Sequence, residues 1–427
     1  MSAARGDMRR DRRPRLFYGW AIVAVCAVVA FSSGPGQSFV FSVFLDSLIA
    51  DTGLSRTAIS ALYAIGTGVS AAMVFMVSRL ADRYGARATL IAAAIGLGLA
   101  CFAMSWARGP LLVFAAFSAL RALGQGSLTI NATLLTAQWF VRRRGRAMAV
   151  MGLGFPIAVA MLPPIVRLLI DTIGWRETYA ALGVMVWVLV LPGALFVVRN
   201  RPEDMGLHPD GADGPPPGEA DIEPGLPEPR VPVLTSLRFW ILAIPLSTSS
   251  LVVTGLIFHQ AAVLGEQGLS ATVAAAIFVP YAASSAIVSV IAGDVADRFG
   301  PKWVFAAAMC TLLGSMALAL VMHSLVLVTA YALLLGASGG FSQIVGGVTW
   351  AYFYGRRGLG RVQGAAVMVS ITASALGPLP LAWLQSQFDG FRPGIAILAV
   401  LPVAALITVA LARPPVARGA AEVTAVG

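Results

Sequence analysis

The sequence predicts an all-α membrane protein, with twelve transmembrane helices in two pseudo-symmetric six-helix bundles. Three observations carry that prediction. Of 427 residues, 58% are hydrophobic and 12% charged, where a soluble domain has about 25% charged residues. The apolar residues fall into twelve runs, and roughly 20 apolar residues suffice to cross a bilayer core. A charged hinge is also written twice, around Asp82 and Asp297, 215 residues apart. Self-similarity at half the chain length marks one unit used twice.

Taken in order, residues 1–16 form an arginine-rich tail ahead of the first run, 17–45. That pairing mimics a signal peptide, but the run is too long and lacks a small-residue cleavage site, so it reads as the first span. Runs at 55–78, 88–106, 110–138, 146–170 and 175–198 complete an N-terminal bundle over 17–198. Residues 199–236 are rich in Pro, Gly and acidic residues, including Gly214-Pro215-Pro216-Pro217-Gly218. This composition predicts a flexible cytoplasmic linker without a core. Runs at 238–263, 270–293, 302–322, 324–353, 362–386 and 392–412 form a C-terminal bundle over 237–413, before a tail at 414–427. Gly336, Gly339, Gly340, Gly346 and Gly347 thin the tenth run, which is ordinary where helices pack closely. Cys26, Cys101 and Cys310 lie singly in apolar runs, with neither a disulfide framework nor metal-ligand spacing. No cofactor or metal is expected.

The arginines orient the chain. With the N-terminus inside, 24 of the 30 basic residues fall in the tails and even-to-odd loops. These include Arg9, Arg10, Arg12, Arg13, the run Arg142-Arg143-Arg144-Gly145-Arg146, and Arg356-Arg357. Arg56, Arg108, Arg176 and Arg392 face outward, while Arg121 and Arg167 stay within helices. This is the positive-inside pattern, with both termini cytoplasmic. The +10 formal charge, with Lys302 the one lysine, therefore reads as orientation and not as nucleic-acid binding. The bias to arginine over lysine, with abundant alanine, suggests a GC-rich bacterial coding sequence and hence the cytoplasmic membrane.

The two hinges read Ser78-Arg79-Leu80-Ala81-Asp82-Arg83-Tyr84-Gly85 and Gly293-Asp294-Val295-Ala296-Asp297-Arg298-Phe299-Gly300. They resemble the loop signature of the major facilitator superfamily of secondary transporters, with Ser78 where the family has glycine. Arg143-Arg144-Gly145 recurs 213 residues later as Arg356-Arg357-Gly358. The resemblance implies two six-helix halves related by an axis along the membrane normal, with the substrate between them. It further implies that Asp82 caps a helix start near Leu359-Gly360-Arg361, and Asp297 one near Gly145-Arg146. A carboxylate there meets free amides and the positive end of the helix dipole. Asp82, Arg83, Gly85, Asp297, Arg298, Gly300, Arg146 and Arg361 are thus the expected gating residues, with Gly85 and Gly300 permitting the tight turns. The alternative is a pair of topological anchors with solvated charges.

Ionisable groups inside a membrane are functional candidates by default. Arg121 sits near the middle of span four, with Gln125 one turn on along the same face. No Asp or Glu lies near mid-depth in any run, so Arg121 needs another partner: a substrate anion, or carbonyls of broken helices. Span one breaks at Gly34-Pro35-Gly36-Gln37, and interrupted helices often border a transporter's cavity; Gln37 and Phe41 follow on one face. His259 closes span seven toward the outside. It either titrates and couples a proton or is a rim histidine bonded to backbone. Tyr281 and Gln343 either bind ligand or bridge helices. Arg167 either pairs with Asp171, snorkelling, or draws anions inward.

Several stretches resemble the monocarboxylate transporter and oxalate/formate antiporter branch. They are Phe17-Tyr18-Gly19-Trp20, Ser42-Val43-Phe44-Leu45, Gly174-Trp175-Arg176, Arg201-Pro202-Glu203-Asp204-Met205-Gly206-Leu207, Phe239-Trp240 and His259. Ser289 stands where members handling carboxylates usually carry an arginine, and Phe39 where some carry a lysine. The resemblance therefore implies a small organic anion, a monocarboxylate before a dianion, moved across the lipid bilayer by alternating access, with proton coupling open. One alternative is an efflux antiporter for amphipathic compounds, whose Gly-Pro signature Gly152, Gly154 and Pro156 match in part. Another is a membrane sensor signalling through the linker. No metal cluster, nucleophile arrangement or phosphate loop suggests an enzyme.

Overall fold

A computed structural model describes residues 17–212, 233–354 and 359–411. Within helices, the side chains at 71–75, 78, 82, 144, 238, 297, 347–348, 351–352, 354, 359–361 and 410–411 lie outside that description, as does that of residue 233. The described chain is helical, with no strand.

Twelve long elements follow one another. In the N-terminal half α1 covers Gly19–Thr52 and is interrupted by a single 3-10 turn at Gly34–Gly36. It is followed by α2 (Arg56–Tyr84), α3 (Ala86–Trp106), α4 (Pro110–Trp139), α5 (Gly145–Ile173) and α6 (Trp175–Val197). The C-terminal half holds α7 (Leu237–Phe258), α8 (Phe278–Phe299, after a lead-in turn at Ala271–Ala276), α9 (Pro301–Ala319) and α10 (Leu325–Tyr354). It ends with α11 (Leu359–Leu376, continued by Pro378–Phe388) and α12 (Phe391–Val409). Eleven candidate crossings are long and apolar enough to span a membrane. The remaining helix, α2, contains 71–75 and has 29 residues, about 43 Å at 1.5 Å per residue.

The hinge is more helical than its charge suggests. Arg79 to Arg83 form the last turns of α2, and the chain reverses at one residue, Gly85, with φ +87°. Gly300 does the same after α8 with φ +85°. Nothing in Ala81-Asp82-Arg83 breaks a helix, so the turn waits for the glycine that tolerates positive φ.

The same packing recurs in both halves. In the first, α2 and α3 lie against α4, α3 against α6, and α1 against α5 and α6. In the second, α8 and α9 lie against α10, α9 against α12, and α7 against α11 and α12. Glycines set the closest crossings. A Cβ on Gly36 would strike the Leu120 carbonyl, and one on Gly124 would fall 2.9 Å from the Ser33 carbonyl, so the α1 break and α4 touch backbone to backbone. In the second half Gly255 and Gly377 do this for α7 and α11, and Gly336 and Gly340 for α10 against α8.

Residues 199–212 depart from the flexible linker expected of 199–236. Within it the Arg87 amide donates to Asn200 Oδ1 (2.9 Å) and Trp139 Nε1 to Arg199 O (3.1 Å). Just ahead of it, Tyr18 Oη donates to the Val197 carbonyl (2.6 Å) and the Arg87 guanidinium to Ala194 O and Leu195 O (3.2 and 2.5 Å). These bonds satisfy carbonyls that the end of α6 leaves without helical partners. Asp210 then accepts from three successive amides, Val141 (3.0 Å), Arg142 (2.7 Å) and Arg143 (3.0 Å), just before α5. Composition shows only the polar character of this stretch; backbone acceptors and donors hold it. Residues 213–232 lie outside the described residues.

Candidate functional site: a polar cavity between the halves

The halves meet through α1 with α7, α2 with α11, and α5 with α8. The described side-chain contacts across this seam sit toward the end away from the hinges. Thr57 Oγ1 donates to Ala382 O (3.3 Å), and the Arg56 guanidinium lies 5.9 Å from the centre of the Phe391 ring. An aromatic plug closes the seam: Phe258 of α7 packs between Phe41 (5.5 Å, stacked) and Tyr63 (4.7 Å, edge-on), and Phe39 faces Phe278 (6.4 Å).

On the hinge side of the plug the halves part around two cavities. One, of about 410 Å³, is lined chiefly by the N-terminal half through Gln37, Thr67, Ser70, Gln125, Thr129 and Phe155. The other, of about 580 Å³, is lined mainly by α7, α10 and α11 and reaches Trp350 near the hinge end of α10. Gln125 lines both. The described residues lining them include no carboxylate, cation or other titratable side chain.

Arg121 stands behind the smaller cavity and is 1% exposed. Its Nη1 donates to the Gly36 carbonyl (3.0 Å), freed by the break in α1, and its Nε to Thr67 Oγ1 (3.2 Å). The guanidinium lies 4.9 Å from the centre of the Tyr63 ring. Nη2 has no partner, and Tyr63 Oη and Gln125 Oε1 are likewise buried without one. Leaving a donor of a charged group unmatched costs more than the roughly 1–3 kcal/mol typical of a neutral one. Arg121–Leu128 is wound as a π-helix, a local widening frequent at functional sites.

The other expected residues divide. Gln37 and Gln343 line the cavities with Gln125; Gln37 Nε2 also donates to Ser33 Oγ (3.3 Å), and Gln343 Oε1 accepts from Ser289 Oγ (3.3 Å). Phe41 belongs to the plug, and Tyr281 faces α10 at Gly336 and Gly339, outside both linings. His259 is buried beyond the plug, its Nε2 on the Pro378 carbonyl (2.9 Å) and its ring between Phe258 and Phe391. Arg167 pairs with Asp171. Cavity residues absent from the sequence expectation include Thr67, Ser247, Ser249, Thr254, Ser342, Ser370 and Ser374.

Of the expected gating set, Gly85 and Gly300 form the turns already described, and the Asn200 side chain lies over Gly85. Arg83, lying over the Tyr84 ring, is exposed, as are Arg146 and Arg298. The side chains of Asp82, Asp297 and Arg361 lie outside the described residues. Asp210 of the linker holds the amides of residues 141–143, ahead of the Gly145-Arg146 helix start that Asp297 is expected to cap.

The chain thus has twelve long helices in two matching halves, with cavities lined by Gln, Ser and Thr where the halves part. The chain belongs to the major facilitator superfamily, whose family model matches residues 21–295 and 256–425. In fold it is similar to a bacterial homologue of the human lysosomal transporter Spinster in an inward-facing, unoccupied conformation (TM-score 0.76, 16% identity, 92% of this chain and 97% of that one). The D-xylose-proton symporter is also similar (TM-score 0.68, 16% identity, 92% and 97%). In sequence the chain resembles a gallate transporter of Pseudomonas putida, 27% identical over 45% of this chain and 44% of that protein. It also resembles monocarboxylate transporter 4 of Rattus norvegicus (24%, over 48% and 44%) and a 4-hydroxybenzoate transporter of Pseudomonas aeruginosa (28%, over 45% and 44%). The matches thus span under half the length of these curated relatives.

Proposed function

We propose that the protein is a secondary transporter for a small organic anion, a monocarboxylate foremost, worked by alternating access. The observation that carries this is the unmatched Nη2 of Arg121. It is a buried cationic donor beside a cavity whose described lining offers no counter-charge. A ligand carboxylate would supply both the charge and the acceptor. The gallate, 4-hydroxybenzoate and monocarboxylate named for the relatives are all carboxylates. The positive-inside count puts the hinge end and both termini in the cytoplasm, so the cavity faces inward while the plug closes the outer end.

Uptake into proteoliposomes tests this directly. Small carboxylates, pyruvate and lactate included, are taken up saturably by the wild type, and Arg121→Ala abolishes uptake while the protein stays folded and inserted. Undiminished uptake by Arg121→Ala removes Arg121 from the site. A second reading, efflux of amphipathic compounds, is favoured by one feature. An apolar cavity of about 390 Å³ between α7, α11 and α12, lined by Trp240, Ile244, Leu251, Met368 and Leu376, shares Ser247 with the central cavity. Transport of lipophilic cations in preference to acids would select it.

A further inference from the structure

The two walls of the central space differ in chemistry. The N-terminal wall has Arg121 behind it, and its threonines are already committed as donors: Thr67 to Tyr63 O (2.8 Å) and Thr129 to Gln125 O. Bonding to a carbonyl three or four residues back is also what Thr248, Thr311, Thr329, Thr372 and Thr408 do elsewhere in the chain. It is the ordinary way for a helical hydroxyl to avoid an unmet donor.

Six hydroxyls of the C-terminal wall do otherwise. Ser247 meets Ser370 (3.3 Å), Thr254 meets Ser374 (2.9 Å), and Ser342 donates to Ser249 (2.8 Å), each pair joining two helices and all six lining the cavity. None of the six bonds to a carbonyl of its own helix. A hydroxyl pair uses one of its two hydrogens in the mutual bond, so each pair keeps one O–H and several lone pairs for whatever occupies the cavity. Hydroxyl pairs also hold membrane helices together. Glue, however, needs no spare donor turned toward a cavity, and here three pairs share one wall.

Resting on the anion reading above, we infer that the substrate is a hydroxylated monocarboxylate. Its carboxylate lies toward Arg121, and its neutral hydroxyl groups lie on the Ser/Thr wall formed by α7, α10 and α11. Such a ligand donates to and accepts from the free positions of the pairs. A second carboxylate finds no cation there among the described lining residues. Bridging both walls also gives this ligand what a transport substrate requires, a differential affinity for the state in which the halves close around it.

The test measures binding to the purified full-length protein with four matched probes: 3,4-dihydroxybenzoate, benzoate and the amides of both. The dihydroxy acid binds about five- to thirtyfold more tightly than benzoate, the scale set by one or two hydrogen bonds of about 1 kcal/mol each. Both acids outbind their amides. In Ser370→Ala and Ser374→Ala the hydroxyl preference shrinks severalfold while benzoate affinity holds, which a merely structural loss would not produce. Equal binding of dihydroxybenzoate and benzoate, with the acid-over-amide preference intact, overturns this inference alone. Equal binding of acids and amides overturns the anion reading as well; binding of none of the four, while pyruvate or lactate is taken up, overturns this inference alone.

Discussion

In the proposed role, Arg121 matters for its unmatched Nη2 as much as for its charge. Its guanidinium spends Nη1 on Gly36 O and Nε on Thr67 Oγ1, and a planar fork can keep both while presenting Nη2 to a carboxylate. Lysine has the charge without the fork. Arg121→Lys is therefore expected to lose at least about tenfold in uptake efficiency, one charge-assisted hydrogen bond's worth; full activity in proteoliposomes would show that charge alone suffices. Arg121 was legible in the sequence because one cation in an apolar run has few explanations. The hydroxyl wall was not, since serine and threonine in a helix ordinarily turn to their own carbonyls and no spacing reveals which do not. Phe41 was expected beside Gln37. Yet Gln37 is the extended N-cap after the break (ψ 151°) and turns back to Ser33, leaving Phe41 to the plug. Asp210 offers a pH-dependent test outside the membrane. Burial alone would raise its pKa, but the amide bonds from Arg142, Arg143 and Val141 and the Arg143 charge hold it below its ordinary value. A depressed folded pKa contributes stability above about pH 4, lost as the pH falls through the folded value. Protection of the 141–143 amides against hydrogen exchange, taken relative to their intrinsic rates, should fall at that acid limb, and in Asp210→Asn should be lower already at neutral pH.

Among the elements, α1 and α4 show how sequence interruptions become a site. The Gly34-Pro35-Gly36 break releases the Gly36 carbonyl, and Gly124 lets the π-wound part of α4 come within backbone contact of it. The break was legible from composition, whereas the π winding was not, because it depends on that tertiary contact. Gly124→Val would force a side chain against Gly36 and Ser33. It should cost about 1–3 kcal/mol, the usual penalty of overpacking, and displace the Arg121 acceptor. A lowered unfolding temperature together with reduced uptake is expected; an unchanged pair of values would mean that the crossing is looser than described. The docking of 199–212 taught the opposite lesson: its polar composition predicted freedom, while backbone hydrogen bonds that leave no trace in composition tie it to the N-terminal half.

At the scale of the whole molecule, the repeated hinge made the two halves legible from half-chain periodicity, and the recurring pairs α2–α4 and α8–α10, and α1–α5 and α7–α11, realise that repeat. Which end is closed was not legible, because in the proposed cycle one sequence must serve every state. Here the seam is held away from the hinges by the aromatic plug and by Thr57 on Ala382. A transporter that works by exchanging the open end must break these contacts in every turnover. The most direct measurement pairs Thr57→Cys with Ala382→Cys in a background where Cys310, the exposed native thiol, is Cys310→Ser. A short bifunctional thiol reagent then joins the two positions in proteoliposomes, and carboxylate uptake is measured before cross-linking, after it, and after cleavage of the link. The account predicts that uptake stops on cross-linking and returns on cleavage; undiminished uptake through a fully cross-linked protein would contradict it.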